Sequence, residues 1–126
     1  MIGVVTMHSS ALGGRSILVV EAEPFAALEV EAGLQDAGAK VFRVHQLKDA
    51  LYMAEYPALS AAVLARRLGR DSTAAVCRRL VELGIPFMFH TRYPTAEALE
   101  GWPNAPVLPK PASAKELVRA VARLLH

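Results

Sequence analysis

Five short apolar runs, separated by segments whose apolar residues recur at helical spacing, constrain this chain more than any other feature. The first, Ser16-Ile17-Leu18-Val19-Val20, is a continuous β-rich run of the length expected of a strand covered on both faces. It ends at Glu21-Ala22-Glu23-Pro24. Proline suits the first turn of a helix, and the acids beside it complement the positive end of the helix dipole. A helix is expected over 24–37, with Phe25, Leu28, Ala32 and Leu34 facing inward and Gly38 as its stop. A second strand is expected over 41–45. A second helix over 48–55, preceded by Leu47 and carrying Ala50, Leu51 and Ala54, is ended by Pro57.

The third strand, 61–65, runs into Arg66-Arg67-Leu68-Gly69. Asp71 or Ser72 is then placed to cap a helix reaching 83, with Val76, Leu80 and Leu83 on one face and Gly84 at its end. A fourth strand, 86–90, is followed by a short helix over 95–100, where Gly101, Pro103 and Pro106 break the pattern. Val107-Leu108 makes a short fifth strand. Ser113-Ala114-Lys115-Glu116 is a capping box that opens a last helix with Leu117, Val118, Val121, Leu124 and Leu125 apolar.

Strand and helix thus alternate five times, which predicts an α/β fold: a five-stranded parallel sheet, doubly wound, in three layers. For this size the flavodoxin-like strand order 2-1-3-4-5 is the expected solution, with the switch point between strands 1 and 3. Glu21, Ala65 and the loop after Ala65 are therefore expected to meet at one rim.

With 126 residues the chain is expected to hold one domain, 16–126, behind a flexible leader over 1–15 that contains Ser9, Ser10, Gly13 and Gly14. The apolar fraction of 53% against 21% charged residues is that of a globular protein. No apolar run approaches the roughly 18 residues of a membrane span. The N-terminus lacks the basic segment of a signal peptide, so a cytoplasmic location and no membrane partner are expected. The single cysteine, Cys77, excludes an intrachain disulfide and a multi-cysteine metal site, and its apolar neighbours predict a buried thiol. His90, beside Thr91 at a strand end, reads as structural. A net charge of +2 is small, Arg78 and Arg79 read as a solvated helix face, and no helix-turn-helix accompanies them. Nucleic acid is not an expected partner.

Several separately placed segments resemble the receiver domain of response regulators, the phosphoryl-accepting module of two-component signalling. The resemblance covers 16–125. Val19-Val20-Glu21-Ala22-Glu23-Pro24 stands where that family has its acidic cluster. Ala62-Val63-Leu64-Ala65 stands where strand 3 presents the phosphoacceptor aspartate, and Pro86-Phe87-Met88-Phe89-His90-Thr91-Arg92-Tyr93 is similar to the family's Pro-Phe-x-Phe-x-Thr-Gly-Tyr segment. Val107-Leu108-Pro109-Lys110-Pro111 matches its Lys-Pro strand end. The resemblance implies that Thr91, Tyr93 and Lys110 occupy switch and phosphoryl-contacting positions. It also exposes the departures: Ala22 replaces an acid, Ala65 replaces the nucleophile, and Ala112 replaces a frequent aromatic.

A methyl group cannot attack phosphorus, and magnesium needs oxygen ligands that two alanines do not supply. No cofactor and no metal are therefore expected, and Asp71, the aspartate nearest in sequence, reads as a helix cap. Two outcomes are open for the emptied place. Arg66 or Arg67 pairs with Glu21 or Glu23 and stands in for the metal, or both arginines point into water. Lys110, Thr91 and the arginines also compose an anion-binding alternative, although no Gly-rich phosphate loop assists them.

The resulting expectation is a stand-alone pseudo-receiver, not an enzyme, that binds a signalling partner (a kinase, phosphotransfer protein or regulator) without phosphorylation. The family's docking and dimerisation face, built by the fourth helix, fifth strand and last helix, would here carry Tyr93, Leu99, Trp102 and Pro106, with homodimerisation through it as a further expectation. The alternatives are a small ligand-binding or anion-binding protein or enzyme on the same fold, and a receiver phosphorylated at a non-standard residue.

Overall fold

Every residue of β1 (Ser16–Val20) is buried, as a run without polar alternation requires. β1 lies between β2 (Lys40–Val44) and β3 (Ala61–Leu64) in a parallel sheet that continues through β6 (Phe87–Thr91) to β7 (Val107–Pro109). The computed structural model describes residues 10–92, 101–102 and 104–126. The strand order is β2-β1-β3-β6-β7, the expected 2-1-3-4-5 arrangement once the small hairpin of β4 (Arg67–Leu68) and β5 (Asp71–Ser72) is set aside. Val20 pairs with Leu64 and Leu64 with Phe89, so the carboxyl ends of β1, β3 and β6 lie side by side.

The sheet separates two cores. Leu18, Val20, Ala62, Leu64, Phe87 and Phe89 face α2 (Leu47–Ala54) and α3 (Ala74–Glu82). Ile17, Val19, Ala61, Val63 and Met88 face α1 (Pro24–Asp36) and α4 (Ala114–Leu124). This period-2 division of consecutive residues is the pleat of the strands made visible in packing.

Three local expectations change. α1 buries Ala27, Val30, Gly33 and Leu34, whereas Phe25 is 78% and Leu28 46% exposed. The chain holds two overlapping apolar stripes here, and the one with smaller side chains is laid on the sheet. Asp71 and Ser72 form the second strand of the β4–β5 hairpin, with Gly69 at φ +66° in the turn between the strands, while Ser72 Oγ still accepts the N–H of Ala74 at the start of α3 at 3.1 Å, as a capping side chain does. Of the expected leader, residues 1–9 lie outside the described residues, while Leu12 is fully buried and donates its N–H to the Ala37 carbonyl at 2.8 Å. Packed structure therefore begins before Ser16.

The last helix opens as expected: Ser113 Oγ accepts from the Glu116 N–H and the Glu116 carboxylate accepts from the Ser113 N–H, at 3.1 and 3.0 Å. The helix expected over 95–100 lies outside the described residues. No helix among the described residues is long and apolar enough to cross a membrane.

Candidate functional site

Three backbone hydrogen bonds extend the parallel ladder one residue past the strand ends and fix the rim. The Glu21 N–H donates to the Val44 carbonyl at 3.1 Å, the Ala65 N–H to Val20 at 2.8 Å, and the Lys110 N–H to Thr91 at 2.9 Å. Glu21, Ala65, Thr91 and Lys110 are thereby carried to one place. They line a cavity of about 310 Å³ together with Glu23, Arg66, Arg67, His90 and Arg92. Ala22 is exposed beside it.

Within that cavity the charges are paired in a way the sequence did not anticipate. Lys110 Nζ lies 2.5 Å from Glu21 Oε1, and the other carboxylate oxygen accepts the Glu23 N–H at 3.1 Å. Arg92 donates to both oxygens of Glu23, at 3.3 and 3.4 Å, in a more exposed pair. Neither Arg66 nor Arg67 forms an ion pair among the described residues. Arg67 instead donates to the Arg70 carbonyl at 3.2 Å, which closes the hairpin turn. Of the two outcomes left open, pairing of these arginines with Glu21 or Glu23 does not occur among the described residues: the hairpin holds Arg67 across its own turn, and the cations that reach the acids stand just past the ends of β6 and β7.

Thr73 was not singled out from the sequence, yet it anchors the loop after Ala65. Its buried hydroxyl lies 2.8 Å from the Ala65 carbonyl and 2.9 Å from that of Arg66, and its N–H donates to Arg66 as well. The only sequence signal was a threonine just ahead of a helical run, which reads equally well as a cap. Arg92, one residue beyond β6, carries no signal in the sequence beyond standing next to Thr91, and its reach across the sheet to Glu23 is a matter of tertiary geometry.

His90 is 8% exposed, and neither ring nitrogen has a hydrogen-bond partner among the described residues. Burial lowers its pKa below the ordinary 6.5, the Lys110 ammonium adds to that, and Glu21 opposes both. Cys77 is fully buried, and burial pushes its thiol up to about 12, against smaller opposing effects of Arg78 and of hydrogen bonding. It is remote from nucleophile chemistry.

Magnesium is the ion a receiver-like rim implies, and the donor set does not fit it. Of the carboxylates near the cavity, Glu21 has one oxygen on Lys110 and the other on a backbone N–H, and Glu23 faces Arg92. Ala65 offers a methyl group, and no cluster of three or more metal-ligating side chains occurs among the described residues.

Of the expected docking face, Tyr93 and Leu99 lie outside the described residues. Trp102 is half-buried and packs edge-on against Phe87, ring centroids 5.8 Å apart, so it covers the core next to α3; Pro106 is exposed.

Solved structures similar to this chain include response regulators and their receiver domains. A response regulator receiver protein from Sinorhizobium medicae WSM419 is 26% identical, with a TM-score of 0.79 over 89% of this chain and 94% of its own. A putative response regulator from Chloroflexus aurantiacus J-10-fl is 24% identical, with a TM-score of 0.78 over 88% and 97%. The non-phosphorylated HemR receiver domain from Leptospira biflexa is 23% identical, with a TM-score of 0.77 over 88% and 94%. No family model and no curated protein matches the chain. The fold is the flavodoxin-like fold of receiver domains.

Proposed function

We propose that this chain is a receiver-like signalling protein that acts by binding other proteins of a two-component or phosphorelay pathway, without being phosphorylated and without enzymatic activity. One observation carries the reading. Ala65 occupies the strand end where a nucleophile would stand, while Lys110 and Glu21 are already locked to each other across the same rim. Here the pair satisfies itself, and the rim holds one arrangement.

The partner would be a kinase, a phosphotransfer protein or a regulator, met in the cytoplasm. The experiment is affinity recovery from lysate of the native host, run in parallel with and without acetyl phosphate and magnesium. Recovery of the same two-component partner in both arms supports phosphorylation-independent binding. Recovery confined to the acetyl phosphate arm overturns it.

A further inference from the structure

α1 and α4 lie side by side on one face of the sheet and turn oppositely charged surfaces to solvent. α1 contains no basic residue. It exposes Phe25 at 78% and Leu28 at 46%, three residues apart on one face, and the exposed acids Glu29 and Asp36 line the cleft that marks its α4 edge. α4 exposes Lys115, Arg119 and Arg123 at i, i+4 and i+8, a single basic stripe. Its one acid, Glu116, is taken up by the Ser113 N–H of the capping box. Glu29 and the three bases of α4 form no ion pair among the described residues.

The cleft between the two helices has a volume of about 890 Å³, and Ala26 and Ala112 leave it open where larger side chains would close it. Phe25 stands at its edge. An apolar knob, an apolar hole, an acidic helix and a basic helix therefore share one surface. A partner of a single charge sign would meet like charge on one of the two helices. A second copy of the same surface, turned over about a two-fold axis that runs along the helices, sets α1 against α4 twice and opposes unlike charges both times. Self-complementarity of this kind is what an isologous interface requires.

We propose that the α1–α4 face is a homodimer interface: Phe25 of each copy enters the cleft of the other, and Glu29 and Asp36 of each face Lys115 and Arg119 of the other. This face differs from the docking face expected from the sequence, whose Trp102 packs into the core on the opposite side of the sheet. Two helices roughly 20 Å long and about 10 Å apart offer roughly 400 Å² per copy, and an inserted phenylalanine adds about 200 Å². The total of about 1,200 Å² lies at the lower end of specific interfaces, so the dimer is expected to dissociate at about 10–100 µM.

The test is sedimentation velocity of the full chain from about 1 µM to about 1 mM. The parent is expected to pass from monomer to dimer across that range, with affinity about tenfold weaker when salt is raised from about 20 mM to about 0.5 M. Phe25→Glu is expected to stay monomeric. Glu29→Lys/Asp36→Lys and Lys115→Glu/Arg119→Glu are each expected to be monomeric alone and to dimerise when mixed, because only the mixture opposes unlike charges at both contacts. Circular dichroism checks that each variant folds, and Glu29→Lys with Lys115→Glu replaces the doubles if one does not. Pro106→Glu, on the other face, is expected to behave as the parent. A parent that stays monomeric at about 1 mM leaves the face to a different protein and overturns the proposal. Dimers that survive Phe25→Glu, charge variants that fail to dimerise when mixed, or a dimer lost through Pro106→Glu would each overturn it as well.

Discussion

Lys110 Nζ stands 2.5 Å from Oε1 of Glu21, joining the end of β7 to the end of β1, with the two side chains only 13% and 9% exposed. An ion pair so placed costs desolvation to form and more to break, because either partner alone is a buried, uncompensated charge. Lys110→Met is therefore expected to destabilise the fold by about 3 kcal/mol. The double variant Lys110→Met/Glu21→Leu should recover a large part of that loss. Urea denaturation of the four proteins of the cycle measures it, and strictly additive effects would show that the pair is not coupled.

His90 makes stability depend on pH. Its pKa in the folded chain lies below 6.5, so on acidification the unfolded chain takes up the proton first. Stability is full above about pH 6.5, declines as pH falls below it, and stops declining on this account once the folded ring itself is protonated. The carboxylates of Glu55, held low by the hydrogen bond from Arg79, and Glu116, held low by the Ser113 N–H, contribute in a separate window below pH 4.5. Melting temperatures of the parent and His90→Leu between pH 8 and pH 5 should converge in slope at the upper end and diverge at the lower, the parent falling faster.

Cys77 should be inert. With its thiol pushed up to about 12 and its side chain fully buried, it should react with Ellman's reagent only as fast as the chain unfolds. Reaction in native buffer is expected to be slow and to become immediate in denaturant. Fast labelling of the folded protein would refute the packing of α3 against the sheet.

Thr73 should matter more than an ordinary helix-start residue. Its hydroxyl bridges the carbonyls of Ala65 and Arg66, so Thr73→Val, which keeps the shape and removes the donor, is expected to cost about 1–2 kcal/mol. Hydrogen exchange should quicken in the loop after β3 and leave α4 unaffected.

Much of this fold was legible in the chain because its strands are short, continuous and apolar, and the alternation of strand and helix admits few topologies. Ser16 to Val20 could hardly be anything else, and Ser113 with Glu116 announced the last helix through two reciprocal hydrogen bonds. What was not legible depended on choices between near-equal local patterns. Phe25 and Leu28 are large and apolar, but Ala27, Val30 and Leu34 form a rival stripe whose smaller side chains let α1 approach the sheet. Asp71 and Ser72 have the chemistry of caps, and Ser72 does accept the Ala74 N–H at the start of α3, but the turn at Gly69 also draws both residues into a hairpin. Arg66 and Arg67 are the nearest cations to Ala65 in sequence, yet the acids are reached by Lys110 and Arg92, which topology brings from far along the chain. Sequence proximity was a poor guide there, and strand order a better one.

The central claim, that the rim of this receiver-like fold takes no phosphoryl group, is tested most directly by the intact mass of the protein after incubation with acetyl phosphate and magnesium. An aspartate-bearing receiver treated alongside it serves as the positive control. The account predicts that the control gains one phosphoryl group and this chain gains none, at any time up to exhaustion of the donor. A stoichiometric phosphoryl adduct on this chain, whether mapped to Asp71, Thr91, Glu21 or Glu23, would contradict it.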